Sequence, residues 1–255
     1  DKVYLPPCIS AYVGADITCS ILASGMMQDS CSLLADIGTN GEIAFWDGKV
    51  LRCCSTAAGP VFEGAGISQG MIAAEGAVSK VSYEDGAYAY ETVGKKTPVG
   101  VCGTGLIDMI ACMLRAGVLE DTGYLAQDTE IGRSGVYITA EDIRQGQLAK
   151  AAIRAGIETL VQKSGRKMDE IETFYLCGGF GSYLNYESCA AIGLVPSGLS
   201  EQVCVIGNAA GMGAGMILQS ETCRLEAEKI AREAETVELS ADPLFMQLYC
   251  DNMMF

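Results

Sequence analysis

The sequence predicts an α/β fold, a mixed β-sheet flanked by helices. Two observations point there. Strand-like apolar runs alternate with helix-periodic segments along the whole chain, the order expected of a sheet covered by helices. Two of those strands also run into glycine-rich turns about 140 residues apart, Asp36-Ile-Gly-Thr-Asn-Gly-Glu-Ile43 and Phe174-Tyr-Leu-Cys-Gly-Gly-Phe-Gly-Ser182. With 255 residues, 49% of them hydrophobic, the chain is long and apolar enough for a sizeable core.

The elements follow in order. Residues 8–27 read as a turn and then a helix of small residues. A three-stranded meander occupies 31–54: a strand over 32–37, a Thr-Asn-Gly turn, a strand over 42–46, an Asp47-Gly48 hairpin signal and a strand over 49–54. The stretch 57–66 reads as a loop entering a helix that runs to about residue 80, and 88–93 as a further strand. Residues 99–108 repeat the pattern of a glycine loop opening a helix, here to about residue 115, and 117–136 are loop-rich. Thr139-Ala-Glu-Asp142 resembles a capping box. After it Ala149, Ala152, Ile153, Gly156, Ile157, Leu160 and Val161 recur at helical spacing up to Gly165. A strand over 173–177 leads into Gly178-Gly179 and a short helix. A strand over 203–206 leads into Gly207-Asn-Ala-Ala-Gly-Met-Gly-Ala-Gly215, read as a helix packed tightly on a neighbour. A charged helix near 220–235, with a solvated face, and a strand over 236–239 close the chain. No low-complexity linker marks a domain boundary.

Charge and composition exclude several functions. A net charge of −15 repels nucleic acid and anionic membrane surfaces alike. No apolar run reaches the roughly 18–20 residues of a membrane helix. The N-terminal Asp-Lys-Val-Tyr lacks the basic segment and apolar core of a signal peptide. Histidine is absent, which removes every histidine-based triad, metal site and general base. The twelve cysteines are scattered among apolar neighbours and form no C-x-x-C pair. They read as reduced core thiols of a cytoplasmic protein, in a cell that lives without oxygen, rather than as a disulfide framework. Cys53-Cys54 has no spaced partners that would make it a cluster site.

The glycine turns carry the candidate chemistry. Gly38, Thr39, Asn40 and Gly41 offer bare N–H groups to phosphate oxygens, and Asp36 stands ready for a magnesium-bound water. The same Asn-Gly suits a plain hairpin that needs positive φ. A carboxylate ending the apolar run Leu33-Leu34-Ala35 tilts the reading toward a site, because buried charge is costly unless paired or coordinated. Gly178, Gly179, Phe180 and Ser182 are either a backbone surface for an adenosine or an ordinary strand-to-helix turn. Gly103 and Thr104, with Ala58-Gly59, repeat the motif more weakly. Neither a G-x-x-x-x-G-K-[ST] nor a G-x-G-x-x-G loop is present.

Together these motifs resemble the actin-like ATPase superfamily, in which two ribonuclease-H-like halves close over a nucleotide. Residues 36–43 look like its second phosphate loop, 174–182 like its adenosine motif, and 207–214 and 11–16 like its two connecting helices. The resemblance narrows further. Tyr12-Val-Gly-Ala-Asp16, Asp36 to Ile43, Ala58-Gly-Pro-Val-Phe-Glu-Gly-Ala-Gly-Ile67, Cys102-Gly-Thr-Gly-Leu-Ile-Asp108 and Asp142-Ile-Arg-Gln-Gly-Gln-Leu-Ala-Lys-Ala-Ala-Ile153 are together similar to the C-terminal region of the reductive activators of corrinoid proteins.

That resemblance implies an actin-like ATPase (ribonuclease-H-like) fold over residues 1–255, with 1–30 as connecting-helix region and 31–255 as the second half. It implies ATP with magnesium at Asp36 and the glycine turns, and coupling of ATP to the reduction of a corrinoid from Co(II) to Co(I) in a methyltransferase system. The corrinoid protein would be the partner, a homodimer is an option, and nucleic acid and membrane are not expected. A [2Fe–2S] cluster, in an N-terminal ferredoxin-like domain, and the first phosphate loop would lie upstream of residue 1. Two rivals predict different chemistry. An activator of acyl-CoA dehydratases would hold a bridging [4Fe–4S] cluster through cysteines such as Cys54 or Cys102. A docking or dimerisation module would bind its partner without nucleotide.

Overall fold

The computed structural model describes residues 3–181 and 183–255. Eleven strands and eight helices are assigned among them. The strands are β1 (Ser32–Ile37), β2 (Gly41–Trp46), β3 (Leu51–Thr56), β4 (Ala77–Glu84), β5 (Ala87–Thr92), β6 (Gly100–Val101), β7 (Thr129–Glu130), β8 (Tyr137–Ile138), β9 (Thr173–Cys177), β10 (Val203–Gly207) and β11 (Glu235–Thr236). The helices are α1 (Ala15–Ser24), α2 (Gly103–Arg115), α3 (Ala140–Ser164), α4 (Gly178–Gly181), α5 (Tyr186–Ala191), α6 (Ala209–Gln219), α7 (Glu221–Glu233) and α8 (Pro243–Asp251).

The main sheet has the order β10-β9-β1-β2-β3-β11. β1, β2 and β3 form the expected antiparallel meander, and β9 runs parallel to β1, with β10 parallel to β9 and β11 to β3. A smaller sheet, β5-β4-β6, packs against α2. Period-2 alternation sorts β1 between two layers. Leu33, Ala35 and Ile37 join the large core that includes Ile153, Ile157 and Leu160 of α3. Leu34 faces the other way, with Ile17 and Ile21 of α1 and Ala209 of α6. Both faces are therefore covered, and the strand ends that carry the glycine turns are set between helices.

Helix α3 starts where the sequence says. The Thr139 hydroxyl accepts the Asp142 N–H at 3.2 Å, and the Asp142 carboxylate accepts the Thr139 N–H at 2.9 Å, a reciprocal capping box. Helices α1 and α6 cross so closely that a Cβ at Gly213 would lie 2.1 Å from the Cys19 carbonyl oxygen. The small-residue run 207–215 is thus a packing surface, as expected.

Two expectations are corrected. No helix follows residue 66: a 3-10 turn, Pro60–Glu63, is followed by irregular chain and then β4. Positive φ at Gly64, Gly66 and Gly76 interrupts any helix there, and β4 buries Val78 and Val81 against α2. The closing strand is only two residues long, and α8 follows it. Asp242 caps α8 by accepting the N–H groups of Leu244 and Phe245, with Pro243 in the first turn, an Asp-Pro start signal that the sequence carries openly.

Candidate functional site

Asp36, half-buried, is the penultimate residue of β1, at the point where β9 ends beside it: Asp36 pairs with Cys177 in the parallel ladder. The next residue, Gly178, has φ +87°, and a Cβ there would sit 2.5 Å from Asp36 Oδ1. The two glycine turns, distant in sequence, thus meet at one carboxylate. On the other side, Asp36 lies directly opposite Glu42 in the antiparallel β1–β2 register. Like charges placed so are mutually destabilising. Asp16, in the first turn of α1, adds a third carboxylate to the group. Burial, and then the charge of Asp16, push Asp36 up to about 6. The same two causes, burial first, raise Glu42 as well.

The Gly38–Gly41 turn is built as a hairpin: the Gly38 N–H donates to the Asn40 carbonyl at 3.0 Å. Gly38, Thr39 and Asn40 are open to the surface to differing degrees. Gly41 is held by packing, since a Cβ would meet Thr56 Oγ1 at 2.6 Å and Ile153 Cγ1 at 2.8 Å. The Thr39 hydroxyl donates to the Glu63 carboxylate at 2.8 Å. Glu63 was not singled out from the sequence, yet it links the turn to a well-formed cavity.

That cavity, of about 650 Å³, lies between the 3-10 turn, β4, the start of α2 and residues 183–185. Gly103 and Thr104 line it. The Thr104 hydroxyl donates to the Ser79 carbonyl at 2.7 Å, fixing α2 on β4. Asp36 and the Gly38–Gly41 turn do not line it; they adjoin it through Glu63. Gly178 and Gly179 start the four-residue α4, with Phe180 inside it, and Tyr183, Leu184 and Asn185 just beyond line the cavity. Ser182 lies outside the described residues. A second cleft, about 610 Å³, opens on the other side of the turn, walled by Tyr12, Asp16, Asn40, Ser55 and the 236–240 segment.

The carboxylates fit a magnesium ion. Mg²⁺ takes hard oxygen ligands, keeps several waters and is held by one or two carboxylates together with substrate phosphates. Asp36 facing Glu42 supplies excess negative charge, and among the described residues no basic side chain pairs with either. The cysteines fit a cluster less well. Among the described residues no group of three or more histidine, cysteine or acidic side chains is arranged to hold a metal. Cys54 and Cys102 are both buried, and burial pushes the Cys54 thiol well above its ordinary range. No helix among the described residues is long and apolar enough to cross a membrane.

A mixed sheet sandwiched by helices, with glycine turns meeting at a carboxylate on its strand ends, defines an actin-like ATPase domain. Residues 30–255 match the family described as the C-terminal domain of RACo, the ASKHA domain, and the chain belongs to that family. It is 35% identical over 278 aligned positions to the corrinoid activation enzyme RamQ of Eubacterium limosum, covering 98% of this chain and 46% of that protein. It is 32% identical over 230 positions to the [Co(II) methylated amine-specific corrinoid protein] reductase of Methanosarcina barkeri, covering 81% of this chain and 42% of that one. A solved structure of a reductive activator for corrinoid, iron-sulfur protein superposes with a TM-score of 0.90 at 36% identity, over 99% of this chain and 44% of the other. The chain therefore spans less than half the length of these relatives.

Proposed function

We propose that this chain is the ATP-binding and ATP-hydrolysing part of a system that reduces a corrinoid protein from Co(II) to Co(I) for methyl transfer. The observation that carries the reading is the contact of Asp36 with Gly178, which joins the phosphate-loop candidate to the adenosine-motif candidate at a carboxylate already crowded by Glu42. The phosphates would lie along Gly38, Thr39, Asn40 and Gly41. The nucleoside would occupy the cavity lined by Gly103, Thr104 and residues 183–185, beside Gly178, Gly179 and Phe180 of α4. Asp36 would hold magnesium through water and orient the attacking water. Magnesium, when bound, would offset charge on the phosphates. Backbone N–H groups of the turn other than that of Gly38, which donates to the Asn40 carbonyl, would stabilise the charge that develops there.

ATP can bias electron transfer only through a difference in its affinity for two conformations of the assembly. In this reading the electron enters from a [2Fe–2S] centre carried on sequence upstream of residue 1, in the cytoplasm, and the corrinoid protein docks where the two halves close. Pairing of two copies belongs to the same proposal. Calorimetric titration with Mg-ATP and a non-hydrolysable analogue, for the wild type and for Asp36→Ala, tests the site. Binding that Asp36→Ala weakens is the expected result. Nucleotide binding untouched by Asp36→Ala would remove Asp36 from the site, and no binding in either form would overturn the ATPase assignment for this chain.

A further inference from the structure

Glu63 is the last residue of the 3-10 turn Pro60–Glu63, exposed at the edge of the cavity beside the phosphate-turn candidate. Its carboxylate covers that turn with both oxygens. Oε2 accepts the Thr39 hydroxyl at 2.8 Å, and Oε1 stands 3.7 Å from the Cβ position of Gly38. The backbone holds it there from behind. Gly64, at φ +86°, folds back until a Cβ would lie 2.4 Å from the Met71 carbonyl oxygen. The Ser68 N–H and hydroxyl donate to Asp142 Oδ1 at 2.7 and 3.0 Å, which ties the loop to the start of α3. The Met71 N–H donates to the Val101 carbonyl at 2.9 Å, which ties it to β6. Among the described residues no basic side chain pairs with Glu63. The lysine on the cavity wall, Lys80, is paired with Glu91 at 3.2 Å.

A threonine hydroxyl carries one proton. Here that proton goes to Glu63, so Thr39 has none to offer a phosphate oxygen until Glu63 releases it. A phosphate loop of the G-x-x-x-x-G-K-[ST] type brings a lysine to its ligand. This turn brings a carboxylate instead. An anion entering it meets like charge at contact distance, where repulsion is strongest. Resting on the nucleotide reading above, we propose that Glu63 is a specificity-determining residue of the phosphate turn, a built-in anion that discriminates against phosphate arriving without a cation. Magnesium-bound nucleotide carries less charge to repel, and the Thr39 hydroxyl turns from Glu63 to a phosphate oxygen. Metal-free nucleotide faces Glu63 together with Asp36 and is rejected. The positive charge that the turn lacks is thereby supplied with the ligand and not by the chain.

Calorimetric titration of the wild type, Glu63→Gln and Glu63→Ala compares ATP in excess magnesium with ATP in EDTA. Glutamine keeps the shape and a carbonyl acceptor for Thr39 but not the charge; alanine keeps neither. Both variants are expected to bind metal-free ATP roughly tenfold more tightly than the wild type does, and Mg-ATP to gain no more than about threefold. The preference for the metal-bound form therefore shrinks. At about 1 M salt, where the screening length falls to about 3 Å, most of the gain should vanish, which a merely structural role for Glu63 would not produce. Glu63 is exposed, so neither substitution removes a core contact. Unchanged affinity for metal-free ATP in both variants would overturn the proposal while leaving the nucleotide site standing. So would a loss of Mg-ATP binding by about tenfold or more in Glu63→Gln, which would make Glu63 a ligand of the metal. A gain that survives high salt would trace to the loop and not to the charge, and would overturn it too. Absence of Mg-ATP binding to the wild type would take down the reading beneath it as well.

Discussion

Asp36 Oδ1 occupies the space beside Gly178 so closely that a Cβ on the glycine would come within 2.5 Å of it. Asp36 is the penultimate residue of β1 and Gly178 follows the end of the neighbouring parallel strand β9, and the contact makes glycine obligatory twice over. Its φ of +87° disfavours any L side chain, and its missing side chain leaves room for the carboxylate.

Gly178→Ala is therefore expected to cost roughly 1–3 kcal/mol of stability, combining left-handed backbone strain with displacement of Asp36. It should also weaken Mg-ATP binding by at least about tenfold if the displaced carboxylate loses one charge-assisted interaction. Gly165→Ala is the control: that glycine also has positive φ, +75°, but nothing lies within 4 Å of its Cβ position. It should cost only about 1 kcal/mol of backbone strain and leave nucleotide affinity unchanged. Equal effects of the two substitutions on binding would show that the Asp36 contact plays no part in the site.

Asp36 itself should oppose stability at neutral pH. Its carboxyl is raised to about 6 in the folded protein by burial and by Asp16, above its ordinary value of 3.8. A carboxyl shifted upward binds its proton more tightly when folded, so its contribution is most favourable below about pH 4 and is lost as pH rises through about 6. Asp36→Asn removes that charge with little change of shape. It should raise stability by on the order of 1–2 kcal/mol at pH 8 and by almost nothing at pH 4, while abolishing Mg-dependent nucleotide binding. Thermal melts of the two proteins across this range check it. A gain that is the same at both ends would place its source elsewhere than in the carboxylate charge.

The parts of this site that were legible in the sequence are those set by local chemistry. An aspartate closing an apolar strand, and glycines after two strands, announce themselves without any knowledge of pairing. Glu42 did not, because a glutamate after an Asn-Gly turn is ordinary until the β1–β2 register puts it opposite Asp36. Glu63 was hidden for a different reason. It acquires its surroundings from the turn before β4, in the one stretch where glycine-rich sequence suggested a helix and the chain instead forms a 3-10 turn and a strand. Helix α8 was missed although its Asp242-Pro243 start is visible, since the charged helix before it reads as a natural end.

The cysteines give a final prediction, because burial separates them sharply. Cys8, Cys204 and Cys250 are exposed, Cys223 is intermediate, and the remaining eight are buried. Burial pushes the Cys31 thiol up to about 11 and Cys53 to about 12, far from the thiolate form that reacts with electrophiles or binds metal. Cys177 is driven higher still by burial and by the Asp36 charge. A water-soluble disulfide reagent applied to the folded protein at neutral pH should accordingly consume three thiols quickly and one more slowly. The other eight should react only on unfolding, at a rate that tracks opening of the fold. Mass mapping of the labelled peptides identifies which react. Rapid labelling of Cys54 or Cys102 would contradict their place in the core and reopen the case for a cluster held by this chain. Protection of both, with no change on adding an iron chelator, is the expected outcome and makes them packing residues, small apolar side chains that fill the space between β3, β4 and the helices above them.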